Sequence, residues 1–261
     1  MKTIKLFLTT GLLALVTSAS AQFANAGDTE STAVSGPRKK LVKDTRNYSR
    51  IDVSYTPIKL VQDVSGADDV KLSGFSLGYT YGLNIVKDIP LFLEFGMNGA
   101  YAATTLDYEE LGLSEDLLEQ KITVAALNIP VSVGYKLSFS EKVSLTPFVG
   151  VNFRGMLLGK GKYSITDQSI LDQLQSSGYS EADFWQEMET DYGVKQEQDM
   201  FDKDDMGSKD ATWKRIQVGW QIGVGLNFKH LHVGLAYGKD FSELYKKCKV
   251  SFTTISLGYN F

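Results

Sequence analysis

The stretch "SFTTISLGYNF", Ser251–Phe261, decides the fold. Read as an extended strand, it puts Thr253, Ile255, Leu257, Tyr259 and Phe261 on one side. Thr254, Ser256, Gly258 and Asn260 fall on the other, because successive strand side chains point to opposite faces. One side is apolar, the other small and polar, and the sequence ends on an aromatic ring. A strand between hydrocarbon and a crowded lumen needs this division. The stretch is therefore expected to be the closing strand of an outer-membrane β-barrel.

The opposite end agrees. Lys2 and Lys5 precede the apolar run Leu6–Val16, and Ala19-Ser20-Ala21 supplies small residues for cleavage. Residues 1–21 read as a secretory signal peptide. No Cys follows the cleavage site, which argues against a lipoprotein. Past Ala21 no apolar run approaches the ~20 residues of a membrane helix, so any crossing falls to strands. The 24 Gly, 13 Tyr and 14 Phe suit a β-rich barrel. Net charge is −4, and losing Lys2 and Lys5 takes it to −6, which opposes nucleic-acid binding. Cys248 is the only cysteine; it is expected as a partly buried free thiol, with pairing to another chain as the alternative. The closing strand also resembles the C-terminal signal read by the barrel-assembly machinery of Gram-negative bacteria. Ser256 stands where that signal usually has Gly.

Residues 22–47 are polar and read as a flexible periplasmic leader. Arg38, Lys39, Lys40, Lys43, Arg46 and Arg50 cluster at its end, either as a tether for an acidic partner or as a solvated tail. From residue 48 to 261 period-2 segments recur between turn signals. Eight strands are expected: Ser49–Val61, Val70–Asn84, Pro90–Ala103, Lys121–Leu137, Lys142–Leu157, Trp213–Phe228, Leu231–Lys239 and the strand ending at Phe261. Short turns (Ile85–Ile89, Ser138–Glu141, Lys229–His230) alternate with longer loops. Short turns face the periplasm and long loops the exterior, so both chain ends are expected on the periplasmic side. Pro57, Pro130 and Pro147 interrupt strands and call for bulges.

The faces of these strands separate a membrane barrel from a soluble carrier. A soluble barrel would show Lys and Glu on its non-apolar face. Here that face carries Ser76, Gly78, Thr80 and Gly82, then Gln217, Gly219, Gln221 and Gly223. Such residues fit a narrow eight-stranded interior. The apolar face is then the lipid belt. Tyr135, Phe228, Tyr259 and Phe261 are expected in a periplasmic girdle, and Tyr101, Trp213 and Tyr237 in an outer one. Glu94, Lys136, Arg154 and Arg215 are the charges expected inside, as an ion-paired plug or as a polar relay.

Candidate chemistry is sparse. The only histidines, His230 and His232, fall at a periplasmic turn without a carboxylate nearby in sequence. This opposes a Ser/His/Asp site, and no catalytic, cofactor-binding or metal residue is assigned. The long loop 158–212 is the strongest functional candidate. Between Asp167 and Asp210 it holds 13 carboxylates against three lysines, a net charge of −10. Ile170, Leu171 and Leu174 suggest one short helix, and Ser180 with Asp183 caps another. Ser114 before Leu117 and Leu118 suggests a helical turn in the earlier loop. Asp202, Asp204 and Gly207 look like part of a calcium loop. Met206 and Trp213 occupy ligand positions, so an EF-hand is rejected. Looser divalent bridging through Asp199, Asp202, Asp204 and Asp205 stays open, beside a plain solvated loop.

Two stretches carry a family resemblance. "ALNIPVSVGYKLSFSEKVSLTPFVGVNFRGMLLG" (Ala126–Gly159) resembles the Ile-Pro, Gly-Tyr, Pro-containing hairpin of the Bacteroidetes outer-membrane β-barrel domain, the PorT-like or "porin family" proteins. "VGWQIGVGLNFKHLHVGLAYGKDFSELYKKCKVSFTTISLGYNF" (Val218–Phe261) resembles the last three strands of that family. The likeness spans Asp52 to Phe261. It implies an eight-stranded outer-membrane barrel, and Pro after Ile in the fourth strand is common there. PorT is tied to type IX secretion, while most members have no assigned role and no site residues carry over. The acidic loop is larger than the family implies.

The expected architecture is an all-β, eight-stranded antiparallel up-and-down transmembrane barrel in the outer membrane, with long extracellular loops, one partly helical. The expected function is non-enzymatic: structural, or interaction through the outer loops. A secretion or transport accessory, a small porin and a soluble lipid carrier are the alternatives. Expected partners are outer-membrane lipid and lipopolysaccharide, the assembly machinery, and a secretion or surface protein.

Overall fold

The computed structural model describes residues 44–63, 69–107 and 118–261. The segment read as a signal peptide, most of the segment read as a leader and the expected turn at Ser114–Leu117 lie outside them. The strands in chain order are β1 (Tyr48–Tyr55), β2 (Ile58–Gln62), β3 (Val70–Asn84), β4 (Leu91–Asp107), β5 (Leu118–Tyr135) and β6 (Leu137–Ser138). They continue with β7 (Val143–Ile165), β8 (Glu197–Asp199), β9 (Ile216–Phe228), β10 (Leu231–Asp240) and β11 (Cys248–Asn260). β1 and β2 share one strand position, each pairing with both β3 and β11. The other neighbours are antiparallel and consecutive: β3–β4, β4–β5, β5–β7, β7–β9, β9–β10 and β10–β11. The ring of eight strands closes on itself, so no edge is left to template aggregation.

Side-chain period carries this ring into lipid. Phe75, Leu77, Met97 and Val149 point outward and are 57–63% exposed, a distribution that only an apolar solvent tolerates on this scale. Ser54, Thr80, Ser132, Asn152 and Gln217 point inward and are buried. Glycine makes the lumen passable where a large ring enters it: a Cβ on Gly225 would stand 2.6 Å from His232 Cε1. Tyr135, Phe228, Tyr259 and Phe261 are exposed at the periplasmic end, as expected for a girdle.

The strands outrun the bilayer. β7 is 23 residues long, about twice the ~9–11 residues of a tilted crossing. The first eight residues of the segment expected as loop 158–212 are strand, because β5 continues to pair with them up to Leu118↔Ile165. Leu118 likewise opens a strand rather than a helical turn.

The prolines are absorbed without bulges of their own. Pro57 falls in the break between β1 and β2. Pro130 lies where the β4–β5 ladder skips from Phe95↔Val131 to Asn98↔Asn128. Pro147 sits just past the last β5–β7 partner, Gly134↔Phe148. The register shift of the β5–β7 pair falls elsewhere, opposite Ala125 and Ala126, with Leu157 as the extra residue. It resets the alternation so that Gly159 and Gly161 face the inserted loop, against Phe201 and Met200.

That loop is built, not slack. α1 (Gln168–Ser176) starts at Asp167, whose carboxylate accepts from the Ser169 amide. α2 (Glu181–Tyr192) opens with a reciprocal capping box between Ser180 and Asp183 and ends on Gly193 at φ 68°, a left-handed position that suits glycine. Both helices match the sequence expectation. The segment after them returns to the barrel through β8, which pairs with β7 at Lys160↔Asp199, Gly161↔Gln198 and Lys162↔Glu197.

Candidate functional site

The lumen is organised in tiers. At the periplasmic end the rings of Tyr48 and Phe92 meet 5.4 Å apart, and Phe92 is fully buried. Lys136 Nζ lies 5.6 Å and 5.9 Å from their centroids and pairs with Asp44 at 2.7 Å. Burial opposes ionisation of Asp44, but hydrogen bonds from Arg46 and Lys136 outweigh it and hold its carboxyl at about 2. Below these rings opens a vestibule of about 610 Å³, bordered by Lys136, Lys142, Lys229 and His230.

Above them the lumen is polar. Glu94 accepts from the Tyr48 hydroxyl and from Ser132 Oγ, the latter at 3.2 Å. Arg50 lies 3.6 Å from Asp52. Arg154 and Asp240 pair at 2.8 Å with side chains only 7% and 0% exposed. Arg154 also donates to Asn128 at 3.0 Å and stacks on Phe252 at 5.1 Å. A cavity of about 140 Å³ runs among these side chains. Buried charges at this depth demand partners: Arg154 and Asp240 find each other, while Arg50 Nε and Asp240 Oδ1 have no hydrogen-bond partner among the described residues.

Past Arg154 the interior changes character. Leu60, Leu72, Ala102, Ile122, Val124, Met156 and Val250 point inward from the strand ends. Met200, Trp213 and Leu244 pack against them from the loops. This apolar cluster fills the outer mouth.

Several sequence expectations are corrected here. Trp213 is 6% exposed and sits in the cluster, stacked 6.4 Å from Tyr245, rather than in a lipid girdle. Strand β9 begins only at Ile216, so Trp213 belongs to the loop that folds back into the mouth. Arg215 is exposed, with its guanidinium 4.0 Å over Phe201, rather than inside. His232 lies buried in the lumen, its Nδ1 2.8 Å from Asn227 Oδ1; His230 is exposed and stacks on Tyr259. Neither contacts a carboxylate among the described residues. Glu94, Lys136 and Arg154 are where the sequence reading put them, and Cys248 is free and fully buried.

Several carboxylates of the acidic loop are spent on its own backbone. Asp199 accepts from the Phe201 amide at 2.9 Å and Asp202 from the Asp204 amide at 2.8 Å. Asp205 accepts from the Asp199 amide at 2.9 Å and pairs with Lys195 at 2.7 Å. Among the described residues no group of three metal-ligating side chains converges, so the divalent-bridging set is not assembled.

Sequence reasoning missed Asp240 and the apolar mouth, and it put Arg50 in the basic cluster ending the leader, whereas Arg50 lies in β1 with its side chain largely buried beside Asp52. The signal for the mouth is a change of hydrophobic parity within strands. In β3 Val70 and Leu72 are even-numbered, and Phe75, Leu77 and Tyr79 odd; in β5 Ile122 and Val124 are even, and Leu127, Ile129 and Val131 odd. No comparable local signal marks the Arg154–Asp240 pair, which joins residues 86 apart.

A closed ring with a lipid-facing apolar band and a polar inner face defines an outer-membrane β-barrel protein. The chain belongs to the outer membrane protein beta-barrel domain family, whose model matches residues 47–242. No curated protein matches it. Among solved structures it is similar to Ail, the attachment invasion locus protein of Yersinia pestis, solved with the heparin analogue sucrose octasulfate. That match has 17% identity over 82% of this chain and 99% of Ail, with a TM-score of 0.39. Neisserial surface protein A is 13% identical over 82% of this chain and 95% of its own, TM-score 0.37. The outer membrane enzyme PagL is 10% identical over 79% and 97%, TM-score 0.35. Likenesses at this level carry no argument about activity. The protein is thus placed in the outer membrane by its family and its own strand pairing.

Proposed function

We propose that this is a non-enzymatic outer-membrane barrel that works through its extracellular loop. The observation that carries this reading is the contrast between a filled lumen and an ordered loop. Arg154–Asp240 and the Tyr48–Phe92 pair occupy the lumen, and Met200 and Trp213 occupy its outer mouth. The loop above them invests two capped helices and a paired strand in a fixed shape. A fixed, acidic, solvent-facing unit suits recognition of a surface or secretion partner, whereas a relay or pore suits an open lumen.

The test replaces residues 167–195 with a short Gly-Ser linker. Barrel assembly, read as heat-modifiable mobility on denaturing gels, is expected to persist, and binding of whole cells to host or matrix surfaces to be lost. Unchanged binding would sink the loop role. The wild-type protein is expected to give no steady single-channel current in planar bilayers. A large stable current would turn the reading toward a small porin.

A second reading, a PorT-like accessory of a secretion machine, is supported by the periplasmic end. Asp44 is tied to Lys136, and Asn47 accepts from the Asn84 amide at 2.9 Å, so the end of the leader is anchored where a periplasmic partner would meet it. Pull-down from native membranes with and without residues 22–43 distinguishes it.

A further inference from the structure

On the outer surface of the extracellular half of the barrel, lysines stand opposite lysines. Lys59 on β2 pairs in register with Lys71 on β3. Lys121 on β5 pairs in register with Lys162 on β7. All four are exposed. Like charges directly opposite on neighbouring strands repel, so this placement is costly unless an anion answers it. Only part of the answer is internal. Asp69 binds Lys59, and Glu197 reaches Lys160 at 3.4 Å. Among the described residues Lys71, Lys121 and Lys162 form no ion pair; Glu197 stands in register with Lys162 across β7 and β8, and Asp69 feels the charge of Lys71, so the row is only partly answered.

The level at which they sit names the occupant. Each lysine continues an outward face whose preceding members are lipid-facing: Phe75 is 63% exposed two alternations below Lys71, and Leu157 is 66% exposed below Lys160 and Lys162. Ser73 and Thr123 lie between the apolar band and the charge. The inner side inverts at the same height, from Arg154 to Met156. The inversion marks where hydrocarbon ends, and the lysines begin just past it. Glu119 stands two residues beyond Lys121 on the same face, opposite Ser164, so negative charge begins one alternation past the lysine row.

We propose that the outward row Lys71, Lys121 and Lys162 binds the phosphate groups of the phosphorylated glycolipid of the outer leaflet. The lysines clamp the headgroup while the aromatic and aliphatic band below holds its acyl chains. The inference rests on the membrane placement of the barrel and is independent of the loop's role.

The test uses the full mature chain, refolded in zwitterionic detergent and titrated with diphosphoryl lipid A. Retention is read by native mass spectrometry. Each lysine near an anionic surface contributes a factor of roughly five in affinity, so K71Q/K121Q/K162Q is expected to weaken binding roughly a hundredfold. K87Q/K203Q/K209Q, with the same charge change elsewhere, is expected to leave binding unchanged. Lipid A stripped of its phosphates and free pyrophosphate are both expected to show no retention. Equal retention by the row variant, equal retention of dephosphorylated lipid A, or equal binding of pyrophosphate would each overturn the proposal. So would absence of lipid A binding by the wild type, the outcome if the chain's own acidic loops satisfy the lysines. Heat-modifiable mobility checks that the triple variant folds. If it does not, K121Q and K162Q alone are each expected to weaken binding roughly fivefold.

Discussion

The membrane half and the extracellular half of this barrel are built from the same strands with opposite polarity. In the membrane half Leu77 and Val149 face out while Thr80 and Asn152 face in. In the extracellular half Lys71 and Lys121 face out while Leu72 and Ile122 face in. Each half obeys the solvent around it. Hydrocarbon outside permits a polar core, because buried polar groups can pair across a narrow lumen. Water outside requires an apolar core, because there the hydrophobic effect supplies the driving force. The passage from one to the other runs through the Arg154–Asp240 pair and the Phe252 ring under it.

The strongest way to break this arrangement is at that pair. Asp240→Leu strands the Arg154 guanidinium in the lumen, and removing one partner of a buried pair costs about 3–5 kcal/mol. The urea midpoint of the heat-modifiable band is expected to fall accordingly. Arg154→Met/Asp240→Leu is expected to recover most of the loss. If the single and double variants are equally unstable, the pair is not what joins the two halves.

A second change separates the halves by their outer solvent. Leu77→Lys puts a charge near the bilayer midplane, at about 2–4 kcal/mol. Thr105→Lys, at the level of the lysine row, is expected to cost only about 0–1 kcal/mol. Refolding into bilayers of the two variants, compared by denaturant midpoint, measures the difference. Equal costs would mean that the polarity inversion does not mark the membrane surface.

The smallest effect concerns the periplasmic end. The Asp44 carboxyl is held at about 2, below its ordinary 3.8. A depressed carboxyl contributes stability that is present above its unfolded value and lost as pH falls through the folded one. The 44–47 segment is therefore expected to stay docked at neutral pH and to loosen between about pH 4 and pH 2. Hydrogen-exchange protection of the Asn84 amide, which donates to Asn47 Oδ1, reports it. Asp44→Asn is expected to show the loosened state at every pH.

Local pattern accounts for most of what could be read early. A period of two is visible in any strand that separates two solvents, so the lipid face of β3, β5 and β11 was legible residue by residue. The capping box at Ser180 and Asp183 was legible for the same reason, since a helix N-terminus is satisfied by residues three apart. Trp213 was misplaced because the aromatic girdle is also a local rule. It cannot distinguish a ring at the lipid boundary from one folded back into the mouth by the loop before β9.

By itself, then, the sequence determined the address, the strand alternation from Val70 to Phe261 and the two loop helices, all set by neighbours within a few residues. Only the tertiary structure decided which charges meet and what closes the barrel. Arg154 finds Asp240 across the lumen, Lys136 finds Asp44 at the vestibule, and Met200 with Trp213 reaches the mouth. Those contacts depend on ring closure and register, which no short window of residues contains.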